Sequence, residues 1–122
     1  MLILAAALLF ALGIAHSYLG EKYILIRLFR REDLPKIFGS SQFTTQTLRF
    51  VWHITTIAWF GFVMLLVQIQ FGNLTPNLTV QIIGYTCLTT GLFPLIMTKG
   101  KHLSWIVFFV VGGILLFFTN IK

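Results

Sequence analysis

The chain is 122 residues long, 57% hydrophobic and only 10% charged, with a formal net charge of +6. A soluble domain carries charge on about a quarter of its residues, so this composition excludes one and points to an integral membrane protein. Four apolar runs take up most of the length, which leaves room for one domain, and the excess of Lys and Arg reports topology and lipid contact before nucleic acid.

Met1 to Leu19 is apolar apart from His16, Ser17 and Tyr18. A secretory signal normally opens on a basic segment and this run does not, so it reads as a first transmembrane helix. Ala7, Ala11 and Ala15 recur every fourth residue and predict a strip along which another helix comes close. Residues 20–47 form the one long polar connection, with all three acids, Glu21, Glu32 and Asp33, among its cations. Its aromatic and aliphatic residues alternate with Lys22, Arg27, Arg30 and Arg31, which suits a segment in the headgroup plane or an outward continuation of the first helix. Those four cations are the expected contacts for anionic lipid. Pro35 interrupts the segment, and Gly39-Ser40-Ser41 predicts a turn leading into a helix N-terminus.

The second helix is expected from about Gln42 to Gln70, with its hydrocarbon portion at 48–67. Arg49, His53 and Thr56 fall at spacings of four and three, so they share one face. Residues 71–77 make a short uncharged turn, whose two Asn-x-Thr matches at Asn73 and Asn77 read as chance. The third span, 78–97, is the most polar. Pro94 has no N–H for the carbonyl of Thr90, which leaves that oxygen free to accept from another group. A basic turn ending at His102 leads to the fourth span, 103–121. The lone Cys87 lies inside an apolar run and reads as a packing residue.

The expected fold is therefore all-α, an integral membrane domain over 1–122 with four transmembrane helices in an up-and-down antiparallel bundle (spans about 1–19, 48–67, 78–97 and 103–121; basic cytoplasmic loop 20–47). Seven of nine cations fall in the first and third connections, Arg49 lies just past the first of them on the same side, and only Lys122 lies at the other side. The positive-inside rule then puts both termini outside the cytoplasm of a bacterial cytoplasmic membrane.

This topology brings Glu21, Arg49, His53 and Thr90 to one depth as a polar cluster. Ionisable groups in a span usually face the protein interior and mark a site. His16, His53, His102 and Glu21 could hold Zn or Fe, or two of the imidazoles a haem. His16, Ser17 and Tyr18 could also line a headgroup pocket for a lipid or quinone, walled by Tyr23, Trp52 and Trp105. Three functions are expected in turn. The first is an accessory or binding module that docks to lipid, to other membrane subunits or to copies of itself, with the cluster as an internal latch. The second is a metal-, haem- or quinone-binding enzyme or electron carrier. The third is a small transporter, supported by the polar third helix and Pro94.

Overall fold

The computed structural model describes residues 1–121 and is all-helical. Its long helices are α1 (Leu2–Leu28), α2 (Gln42–Gln70), α3 (Pro76–Met97) and α4 (Ser104–Ile121). Each is long and apolar enough to cross a membrane, for which about 20 apolar residues suffice. Four such helices point to a membrane protein.

Helix α1 runs nine residues past Leu19. The cations Lys22 and Arg27 therefore ride on its last two turns, and the irregular connection begins only at Phe29. The continuation passes through a six-residue π turn, Gly20–Leu25. A π turn adds a residue to the ring of each hydrogen bond and so re-aims the side chains around it. It turns Leu25 inward, where it is buried. The connection itself is folded. Ile37 and Ser40 bridge across Phe38 and Gly39, both at positive φ (56° and 85°), the pattern of a tight two-residue hairpin. Thr75 caps α3 by accepting from the Leu78 amide (3.1 Å), and Pro76 occupies the first helical position, where its missing N–H costs nothing.

The helices bundle as an open row. α1 packs on α2, α2 on α3 and α3 on α4, and among the described residues no Cα of α1 comes within 8 Å of α3 or α4, nor one of α2 within 8 Å of α4. The seams of the row are lined by small residues. Ala6, Gly13 and Gly20, seven apart, are the buried small residues of α1, whereas Ala7 and Ala11 are exposed. The close-approach strip thus lies on nearly the opposite face from the one expected, about 160° around the helix. Its position is set by the bulk of α2: a Cβ on Gly13 would stand 2.7 Å from the Phe60 ring, and one on Gly20 would lie 2.1 Å from the Trp52 indole.

Candidate functional site

Two stripes of polar residues meet along the α1–α2 seam. Gly13, Ser17 and Glu21 recur every fourth residue on α1, and Thr56, His53 and Arg49 face them from α2. Glu21 lies in the π turn and is shared by two residues. Arg49 Nη2 reaches its Oε1 at 2.9 Å and Arg49 Nε donates to Oε2 at 3.3 Å, while His53 Nε2 lies 3.0 Å from Oε2. His53 Nδ1 is 2.9 Å from Ser17 Oγ, which is 2.7 Å from Thr56 Oγ1, and Thr56 reaches the Gly13 carbonyl at 3.2 Å. The chain of bonds spans eight residues of α1, roughly 12 Å at helical rise.

Donor and acceptor accounting constrains this chain. An ionised Glu21 paired with Arg49 only accepts, so His53 Nε2 must donate to it. If the imidazole is neutral, Nδ1 accepts from Ser17, and Ser17 accepts from Thr56. If the imidazole is charged, Nδ1 donates to Ser17, Ser17 donates to Thr56, and Thr56 donates to the Gly13 carbonyl. Thr56 has a single hydroxyl proton, so only the second arrangement also makes the Thr56–Gly13 bond. The order hydroxyl, imidazole, carboxylate is that of an acyl-transfer triad. Ser17 sits inside a helix, however, where the neighbouring backbone amides are committed to the helical ladder and so do not serve as the paired N–H groups of an oxyanion hole. The geometry suits a latch.

His16 lies on the other side of the same seam. Its Nε2 is 3.3 Å from the Trp52 carbonyl, an acceptor only, so Nε2 carries the proton. In return the Trp52 indole N–H donates to the His16 carbonyl at 3.0 Å, and the two rings stack with centroids 4.5 Å apart. His102 lies elsewhere, edge-on to Phe50 and stacked near Phe43, with Nδ1 2.8 Å from Ser104 Oγ. It wedges the α3–α4 turn against the start of α2.

The metal or haem set of His16, His53, His102 and Glu21 does not assemble. Among the described residues no group of three or more His, Cys, Asp or Glu side chains is placed to hold a metal ion, because the imidazoles are spent on Trp52, on Glu21 with Ser17, and on Ser104. Thr90 is buried, but its carbonyl, expected to accept from the cluster, receives no hydrogen bond from Arg49 or His53, and its hydroxyl donates back to the Thr86 carbonyl (2.7 Å). The polar cluster is therefore Glu21, Arg49 and His53 with Ser17 and Thr56, without Thr90. Ser17 was legible as the α1 residue between Gly13 and Glu21 at the spacing that matches α2. The expected headgroup pocket also divides. Ser17, Tyr18, Glu21 and Thr56 line one groove of about 650 Å³, while His16, Tyr23 and Trp52 line another of about 330 Å³, and Trp105 donates to the Gly100 carbonyl.

Lys22, Arg27, Arg30 and Arg31 are all exposed. Lys22 lies over the Tyr18 and Tyr23 rings and Arg27 over Tyr23, which keeps these two cations at the aromatic end of α1. Arg31 grips Asp33 in a bidentate pair. The hydrogen bond from Arg31 holds the Asp33 carboxyl below the ordinary carboxylate range. No family model, curated protein or solved structure matches the chain.

Proposed function

We propose that this chain is a small accessory or binding module of a bacterial cytoplasmic membrane. Its four spans run up and down, antiparallel, with both termini outside the cytoplasm. Its basic end, Lys22, Arg27, Arg30 and Arg31, rests on anionic headgroups, which attract cations held at the membrane surface. Glu21, Arg49 and His53 act as the latch that fixes α1 on α2, and the module docks to other membrane subunits with that register held.

The observation that carries this reading is the closure of the polar ladder: Glu21 is shared between Arg49 and His53, and each further hydroxyl is spent on its neighbour. A metal ligand must keep a lone pair for the ion, and here the His53 nitrogens are both taken by hydrogen bonds. The test is an elemental analysis and visible spectrum of protein purified in mild detergent, wild type beside His53→Ala. The latch reading expects a colourless protein without stoichiometric metal, and a folded variant of lower stability. Stoichiometric metal or a Soret band that disappears in His53→Ala would establish the electron-carrier or enzyme reading instead.

A second reading is favoured by the 650 Å³ groove beside the latch, whose Ile14, Tyr18, Ile26 and Phe60 form an apolar wall next to Ser17 and Glu21. It would seat the tail of a quinone or lipid with its head against Ser17. Photoaffinity labelling with a quinone analogue, competed by unlabelled quinone, would favour it.

A further inference from the structure

The open row has two unlike faces. On one, the groove between α1 and α2 and the groove between α2 and α3 share Phe60 as a common wall, and the second is lined by Met64, Tyr85 and Thr89. On the other, the α2–α3 groove is lined by Ala58, Phe62, Leu65, Ile83 and Cys87 together with interface residues. The first face carries Ser17 and Glu21 of α1 and Tyr85 and Thr89 of α3.

Those on α3 are periodic. Asn77, Gln81, Tyr85 and Thr89 recur every fourth residue and so form one slowly winding stripe. Tyr85 is 62% exposed, Asn77 and Thr89 are exposed and Gln81 is half-buried. None of the four side chains hydrogen-bonds to another described residue. Thr86 and Thr90, on a different side of the helix, return their hydroxyls to carbonyls of their own helix. In a membrane the stripe faces hydrocarbon, which has neither donor nor acceptor, so its amide and hydroxyl groups gain from a neighbour that has both.

We propose that this face docks a second copy of the chain, α3 beside α3 about a two-fold axis along the membrane normal, with Gln81, Tyr85 and Thr89 meeting their counterparts. Two properties of the face select a copy of itself. Amides and hydroxyls donate and accept equally, so an uncharged stripe of them is complementary to itself, which a two-fold contact requires. The row is also one helix thick, with Ala6, Leu25, Phe50 and Ile82 as its buried hydrophobic residues, so this face is open to the close side-chain packing by which helices associate in lipid. The latch is not used in this argument, which requires only that the chain spans the membrane.

The test is cross-linking in carbonate-washed membrane vesicles, in a Cys87→Ala background, with single cysteines at Gln81, Tyr85 or Ile83 and a short bifunctional thiol reagent. Dimer bands at positions 81 and 85 but not at 83 are expected. In addition, Gln81→Leu with Tyr85→Phe should weaken the association read by energy transfer between labelled copies in liposomes, by about threefold for each hydrogen bond lost, with helix content unchanged. Membrane-retained protein that cross-links at neither 81 nor 85, or equally at 83, overturns the proposal. So does unaltered association of the double variant. Release of the chain by carbonate would instead remove the membrane reading, and the proposal with it.

Discussion

The first and last seams of the row share close approach at glycines and differ in what is added to it. Between α1 and α2, where Gly13 and Gly20 meet Phe60 and Trp52, a ladder of side-chain hydrogen bonds also runs from Glu21 to Gly13, with the reciprocal His16–Trp52 pair at its side. Between α3 and α4 no side-chain hydrogen bond crosses among the described residues, and close approach does the work. A Cβ on Gly112 would meet the Leu88 side chain at 2.6 Å and the Gly84 carbonyl oxygen at 2.9 Å, while one on Gly91 would meet the Phe109 ring at 2.8 Å. Lipid tails are as apolar as leucine, so helices in a membrane gain little from apolar burial alone and associate by close packing or by hydrogen bonds. Hydrogen bonds at fixed positions set the register, and glycine contacts set the distance.

The largest effect is expected where backbone must move. Gly112→Leu forces α3 and α4 apart against the Gly84 carbonyl and should cost about 3 kcal/mol, read as a lower midpoint in detergent unfolding at any pH. Glu21→Ala comes next, since it strands Arg49 and His53 together. Removing one partner of a fully buried pair costs roughly 3–5 kcal/mol, but these side chains are 30–36% exposed, so about 2 kcal/mol is expected, and Glu21→Gln should recover part of it. His53→Ala ought to cost about 1 kcal/mol, in line with two intramembrane hydrogen bonds of average strength. Equal effects of Gly112→Leu and His53→Ala would erase the distinction between the seams.

The smallest effect belongs to the loop. Asp33 is held below its ordinary pKa by Arg31, so whatever the pair contributes to loop order is full above the ordinary aspartate pKa and is lost as pH falls through the depressed value. A carboxyl NMR titration should show the low midpoint, and Arg31→Gln should raise it. Neither seam should respond to that substitution.

Much of the helical frame was legible in sequence. Hydropathy came within two residues of both ends of α3 and α4, because the length of a span is dictated by the membrane rather than by packing, and with the Gly39-Ser40-Ser41 turn signal before its apolar run α2 was expected at about Gln42–Gln70, as found. The Glu21–Arg49 pair was legible for an equally simple reason: a carboxylate beside so many cations finds one. The continuation of α1 to Leu28 was open in sequence, since its alternating cations and aliphatics fit a surface segment as well as a helix end. The π turn was not legible, since it follows from where Trp52 sits on Gly20, a tertiary fact. The same holds for the small-residue seam. Ala7, Ala11 and Ala15 and the observed Ala6, Gly13 and Gly20 are both regular patterns, and the positions of Phe60 and Trp52 on the facing helix decide between them. Thr90 was assigned to the cluster on depth, but depth leaves the angle around the helix axis undetermined, and the Thr90 hydroxyl turns to its own backbone.

The central claim is that Glu21 and His53 act on one another as a latch between α1 and α2. The most direct test is a double-mutant cycle of Glu21→Gln and His53→Ala, with unfolding free energies measured in detergent at neutral pH. The latch predicts that the double variant is less destabilised than the sum of the two single variants, by about 1 kcal/mol. Strict additivity would contradict it.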